Sequence, residues 1–349
     1  MRALVFIGLV AGLALGTVLV LSQGIGNVWH GIALLGVGGF AVVVAFHLVL
    51  IGLMGGAWWT LARGRDGRAP QRFAWGRLIR DSGSEALPLS QIGGYVLGAR
   101  ALALTGVRGA FAAASTVVDV TAELVAQLLY TLLGLLLLRG LRPETPYVWP
   151  ILLAVAGMGL LTALFMAVQR RGFGWAERVG LRLSQEFLGR ALSAAGAVQE
   201  GIHAIYGRPW AVATAVALHF TAWMLSGVET WATLHLMGTP LGLWQAMTVD
   251  SLLYGLRSLA FMIPNAIGVQ EGALVLLGGI FGVGPATTLA LSLIKRARDL
   301  AIGVPALLAW QAMEGRRAWR GRDVPSAGTR QLGGDAMGAG DAATGRSVK

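Results

Sequence analysis

The sequence predicts an all-α polytopic membrane protein, and three observations carry that prediction. Hydrophobic residues make up 55% of the chain and charged residues only 13%, whereas a soluble surface needs about 25% charged. Mean hydropathy is +0.66, so most of the surface must meet lipid rather than water. The apolar residues are gathered into runs long enough to cross a bilayer, separated by arginine-bearing connections. These runs amount to about eight transmembrane crossings, with two broken or re-entrant elements related as an inverted repeat.

The first span is Leu4 to Leu21. It follows Met1-Arg2, has no small-residue cleavage site after it, and reads as retained rather than as a signal peptide. The second is Ile32 to Leu61, ending in the interfacial pair Trp58-Trp59. Arg63, Arg65, Arg68, Arg72, Arg77 and Arg80 follow, and the positive-inside rule places them, with the N-terminus, in the cytoplasm. Gln71 to Arg80 interleaves Phe73, Trp75, Leu78 and Ile79 with arginines. It reads either as a short helix lying in the interface or as a solvated basic loop. Leu87 to Val107 is apolar but carries Pro88, Ser90, Gln91, Gly93, Gly94 and Arg100. It reads as a broken or re-entrant element, tolerated at depth only where protein or a wet cavity covers it. Its glycine pair suits close helix packing, not phosphate binding.

Phe111 to Leu138 is the next clean span. Ser115, Asp119, Glu123, Gln127 and Tyr130 recur in it at three- and four-residue steps, a polar stripe on one helical face. Tyr147 to Val168 crosses next. Arg170 to Arg208 is the longest polar connection and is placed in the cytoplasm as one or two surface helices. Trp210 to Met237 contains His219 and Glu229, and Leu241 to Met262 contains Asp250, Tyr254 and Arg257. The last three share a face, so Asp250 is expected to pair with Arg257. His47 and His219 read as packed and hydrogen-bonded rather than catalytic. Gly268 to Gly284 is a short glycine-rich hairpin or span, which makes eight crossings if it crosses, and Pro285 to Met313 is the last crossing. Residues 1–313 thus form the integral membrane domain. Residues 314–349 form a cytoplasmic tail, basic at Arg316, Arg317, Arg320 and Arg322 and disordered beyond.

The inverted repeat rests on spacing. Pro88 precedes Gly106-Val107 by the same interval that separates Pro264 from Gly282-Val283, and the offset is 264 − 88 = 176. At that offset Asp119 and Glu123 correspond to Lys295 and Asp299. Lys295, Arg296, Arg298 and Asp299 lie in the middle of an apolar segment, where a charge costs a few kcal/mol and needs a partner, water or a role. Opposite signs on corresponding helices predict a buried network joining Asp119 and Glu123 to Lys295, Arg296 and Arg298. The network reads either as a lock between helices or as a cavity wall where Arg296 or Arg298 binds an anionic headgroup. Glu271, just after Gly268 at a helix start, reads as a cap on exposed amides, with proton coupling as the alternative.

The chain has no cysteine, which excludes disulfides, thiolate metal sites and cysteine nucleophiles. It carries no nucleotide-binding loop, zinc-ligand spacing or nucleophile elbow. No catalytic residue, metal or cofactor is therefore expected, and the chain reads as a non-enzyme. The net charge of +11 is distributed over loops between spans, which argues for topology rather than nucleic acid as its cause.

Leu87-Pro88-Leu89-Ser90-Gln91-Ile92-Gly93-Gly94 with Gly98-Ala99-Arg100, the pair Asp119 and Glu123, Gly268-Val269-Gln270-Glu271 and Lys295-Arg296-Ala297-Arg298-Asp299 form a pattern. The pattern resembles the flippase-like membrane domain of lysylphosphatidylglycerol synthases over about residues 1–313. Within that superfamily the chain is most similar to the hopanoid-biosynthesis-associated integral membrane proteins of the HpnL type. The resemblance implies translocation or export of a lipid, hopanoid, isoprenoid or phospholipid, in a bacterial inner membrane. Membrane lipids, and lipid-biosynthesis enzymes, are then the expected partners. Only a short tail follows the membrane part here, so aminoacyl transfer is not expected. A non-catalytic accessory protein that organises lipid synthesis is the alternative, and the oligomeric state is open.

Overall fold

The computed structural model describes residues 14, 17–63, 69–86, 90–146, 148–171, 185–260 and 263–322, and among these the regular structure is helical with no strand. The chain divides into two units, Met1–Trp310 and Gln311–Lys349. The candidate site lies in the first; in the second, residues 311–322 are helical.

Ten helices are described: α1 (Ile25–Ala62), α2 (Pro70–Ala86), α3 (Ser90–Leu104), α4 (Gly109–Leu141), α5 (Val148–Arg171), α6 (Gln185–Tyr206), α7 (Pro209–Leu236), α8 (Leu243–Leu259), α9 (Val269–Ile280) and α10 (Pro285–Arg322). Three of them, α2, α7 and α10, open on a proline, whose missing N–H is lost at no cost in the first turn. A carboxamide and a carboxylate satisfy two other starts. Gly242 N donates to Gln245 Oε1 at 3.0 Å, and Gly268 N donates to Glu271 Oε2 at 2.7 Å. Four helices are long and apolar enough to cross a membrane: α1, α4, the Ile151–Gln169 part of α5, and α7. The protein is a multi-pass membrane protein. The first expected span, Leu4 to Leu21, lies mostly outside the described residues, as do Pro88 and the tail beyond Arg322.

Helix α4 is central and packs on α1, α3, α5, α6, α7 and α8. Helices α2 and α3 pack along each other as a hairpin, and α2 also lies on α1. Of the two readings of the basic segment, the solvated loop is corrected: Gln71 to Arg80 is helix, and its face is packed into the protein. Phe73 and Ile79 are 0% exposed, and Arg77 and Arg80 are 4% and 3% exposed. Within the element expected to be broken, Leu87 to Leu89 lie outside the described residues, and Ser90 to Leu104 is one continuous helix. Ser90, Gln91, Gly93, Gly94 and Arg100 all belong to it, with Arg100 exposed.

Gly94 and Gly98, one turn apart on α3, let α2 come close. A Cβ on Gly94 would stand 2.0 Å from Ser84 Oγ and 2.5 Å from Arg80 O, and one on Gly98 would stand 2.6 Å from Arg80 Cβ. Close backbone approach of this kind drives helix association in lipid, where no hydrophobic effect separates helix from solvent. Gly94→Ala is expected to lower the unfolding temperature in detergent, at a cost of about 1–3 kcal/mol from overpacking. An unchanged temperature would mean that α2 and α3 do not meet at Gly94.

The two sequence units have matching local structure. Helices α3 and α9 end 280 − 104 = 176 residues apart, and α4 and α10 begin 285 − 109 = 176 apart. The turn between them carries glycine in the left-handed region in both, Gly106 (φ 97°) and Gly282 (φ 79°). The helix before each unit, α2 or α8, has 17 residues in both cases.

Candidate functional site

Arg77 and Arg80 are three residues apart on α2 and therefore share a face, as do Asp119 and Glu123 on α4. The two faces meet. Arg77 donates to both oxygens of Glu123 at 2.6 and 2.9 Å and to Asp81 at 2.7 Å. Arg80 donates to Asp119 at 2.6 Å and also to Glu123. The remaining oxygen of Asp119 lies 2.9 Å from His219 Nε2 on α7. Asp119 and His219 are both 0% exposed. Two guanidiniums and two carboxylates so placed satisfy one another in bidentate geometry, which is what permits charge at this depth.

The second cluster joins α8, α7 and α10. Lys295 Nζ donates to Asp250 Oδ1 at 2.9 Å, and Thr230 and Tyr130 also donate to that carboxylate, at 2.6 and 3.2 Å. Arg298 is held by Asp299 at 2.7 and 3.0 Å and donates to Glu229, whose other oxygen lies 2.9 Å from His47 Nδ1 on α1. Arg296 clasps Glu271 at 2.9 and 3.2 Å, and Ser292 donates to the same carboxylate at 2.8 Å. Glu271 therefore caps α9 and anchors it to α10.

Two expected pairings are corrected. Asp119 and Glu123 do not meet Lys295, Arg296 or Arg298; α2, in the segment read from sequence as loop or surface helix, supplies nearer guanidiniums. Nor does Asp250 pair with Arg257. Seven residues of helix put them about 10 Å apart along the axis, beyond direct contact. Arg257 instead donates to Glu85 at 3.0 Å and to Asn265 at 3.1 Å. That pair ties the end of α2 to the 3₁₀ turn Pro264–Ala266, where Asn265 and Ala266 have φ of 51° and 45°.

A cavity of about 400 Å³ opens between these clusters. Its lining includes the charged residues Arg77, Arg80, Glu123, Arg257, Arg298 and Asp299. Leu50, Ile51 and Met54 of α1, Leu124 of α4, Phe165 of α5 and Ile302 of α10 also line it. Of the charges singled out in the sequence, Glu123, Arg298, Asp299 and Arg257 line it. Asp119, Asp250, Glu271, Lys295 and Arg296 stand behind or beside the wall. Arg298 does face the cavity, but with Asp299 and Glu229 already on its guanidinium, so it is not a free anion site. Sequence reasoning missed the part played by Arg77, Arg80 and Glu85. The signal was there in the aromatic and aliphatic residues between those arginines, which only a buried helix face needs. No group of three or more His, Cys, Asp or Glu that could hold a metal occurs among the described residues.

Bilayer-length helices, buried ion pairs that cross-link them and a mixed polar and apolar cavity define a polytopic integral membrane protein. The chain matches the family described as the lysylphosphatidylglycerol synthase TM region over residues 5–306 and belongs to that family. No curated protein and no solved structure matches it.

Proposed function

We propose that the protein translocates or hands over an amphipathic lipid in a bacterial inner membrane, without chemistry of its own. The cavity carries this reading, because its lining combines charged side chains with apolar ones. A headgroup sits against the charged side chains, and a hydrocarbon chain lies along Leu50, Ile51, Met54, Phe165 and Ile302. The reading takes α2–α4 and α8–α10 as inverted copies within about eight crossings, both termini in the cytoplasm, the cavity at the interface of the copies. The equal lengths of α2 and α8, and the 176-residue offset between the ends of α3 and α9 and between the starts of α4 and α10, support it. So does the pairing of first with third helix in each copy, Arg80 with Asp119 and Asp250 with Lys295. The hopanoid-associated subgroup and an isoprenoid-derived cargo fall within the proposal. The sequence has no nucleotide loop, so the reading assigns the drive to an ion gradient or an external partner.

A second reading, an accessory protein whose charges are only locks, is favoured by Asp119, Asp250 and Glu271, each enclosed by its partners. It leaves the cavity without a use. Reconstitution into liposomes with tail-labelled lipids, with and without an imposed ion gradient and read by quenching of the outer leaflet, separates the two. Ser226 lines the cavity and is 5% exposed. Ser226→Phe is expected to abolish exchange between leaflets at an unchanged unfolding temperature. Exchange no faster than in protein-free liposomes would sink the transport reading, and exchange undiminished in Ser226→Phe would remove the cavity from it.

A further inference from the structure

Three of the interior ion pairs are one to one: Lys295 with Asp250, Arg296 with Glu271, and Arg257 with Glu85. Two sets are not. Between α2 and α4, Arg77 and Arg80 face Asp81, Asp119 and Glu123. Between α7 and α10, Arg298 faces Glu229 and Asp299. Each set holds one carboxylate more than its guanidiniums, and surplus charge away from water needs compensation. Each set also has an imidazole in the same place. Asp119 gives one oxygen to Arg80 and the other to His219 Nε2 at 2.9 Å, and Glu229 gives one to Arg298 and the other to His47 Nδ1 at 2.9 Å. An imidazolium at that position balances either set, and histidine is the side chain whose charge ordinarily changes near neutral pH.

The two imidazoles differ in access. His219 and Asp119 are 0% exposed, and neither lines the cavity. The His47 side chain is 21% exposed and lines it, as do Arg298 and Asp299. The other titratable groups of the lining are Arg77, Arg80, Asp81 and Glu123 of the first set, Glu85 with Arg257, and Tyr95 and Tyr254. A carboxylate only accepts, so His47 donates Nδ1–H to Glu229 and keeps its lone pair at Nε2. As pH falls, a proton added at Nε2 takes the Glu229–Arg298–Asp299 set from net negative to neutral, and no ion pair has to open. As pH rises, the same proton leaves.

We infer that His47, held by Glu229, is a proton-binding site in the cavity lining, and that the gradient driving transport is a proton gradient. This rests on the transport reading, and the test separates the two. Full-length protein with ring-labelled histidine is titrated in detergent micelles by NMR, and His47→Gln identifies the His47 signal. Asp299→Asn leaves the bond between His47 and Glu229 in place and balances the set without a proton. It is expected to weaken proton binding at His47 about tenfold. Liposomes with a trace of tail-labelled phosphatidylethanolamine or phosphatidylglycerol then receive a gradient of about one pH unit or, separately, an about tenfold sodium gradient. The pH gradient is expected to shift the leaflet ratio of the label about tenfold, the value for one proton carried per lipid. The sodium gradient is expected to leave the ratio unchanged, and His47→Gln to abolish the shift.

A His47 titration that Asp299→Asn leaves unchanged overturns the inference. So does a shift that the sodium gradient produces equally, or one that the pH gradient still produces in His47→Gln. Proton binding weakened by Asp299→Asn, with no exchange of either lipid, upholds the proton site and rejects the transport reading. Exchange that the pH gradient does not bias does the reverse.

Discussion

Lys295→Met is expected to remove most of the folded protein from the membrane. Lys295 is 3% exposed and Asp250 is 0% exposed, and the ammonium is the only cation bonded to that carboxylate among the described residues. Without it, Asp250 keeps the hydroxyls of Thr230 and Tyr130 but no countercharge. Breaking a buried pair by deleting one partner costs about 3–5 kcal/mol, a large part of the total stability of about 5–15 kcal/mol that proteins have. Asp250→Asn combined with Lys295→Met removes both charges, keeps an acceptor for Thr230 and Tyr130, and is expected to recover most of the loss. The level of protein in the membrane and its unfolding temperature in detergent are the readouts. A double-mutant cycle between Asp250 and Lys295 should return a coupling of several kcal/mol, and one between Asp250 and Arg257 close to none. A large coupling in the second cycle would contradict the arrangement of α8 described above.

The other large effect is expected from Arg80→Leu. Arg80 hydrogen-bonds both Asp119 and Glu123, and its ring contact with Tyr95, 4.7 Å from guanidinium carbon to ring centre, ties it to α3 as well. Its loss leaves three carboxylates, Asp81, Asp119 and Glu123, around Arg77, with His219 beside Asp119. Three carboxylates around one guanidinium leave buried negative charge uncompensated, so the expected cost is again about 3–5 kcal/mol. Replacing Asp119 by leucine in the same chain should restore part of it. By contrast, the exchange Asp119→Arg with Arg296→Asp is expected to be worse than either single change. It places a third guanidinium against Arg77 and Arg80, and it deprives Glu271 of its cation. Recovery of protein by that exchange would show that α4 and α10 pair directly, against the geometry described here.

Composition and periodicity alone were enough for the membrane class, the positions of four spans and the polar stripe of α4, because these depend on how each segment meets lipid. The 176-residue offset was equally legible, and the helix ends and the glycine turns at Gly106 and Gly282 follow it. The capping of α9 by Glu271 could be read from three adjacent residues. What the sequence did not determine was which charge meets which. The stripe on α4 showed that Asp119 and Glu123 need cations, and the 176-residue offset set Lys295, Arg296 and Arg298 opposite them. The tertiary structure instead folds α2 back against α4, and Arg77 and Arg80, counted from sequence as topology markers in a loop, become the partners. Pairing along α8 failed for a similar reason, since a shared face does not overcome an axial separation of about 10 Å. An ion pair is decided by distances of a few ångströms between segments far apart in the chain. The sequence states which charges must be compensated, and only the packing of the helices selects the partner.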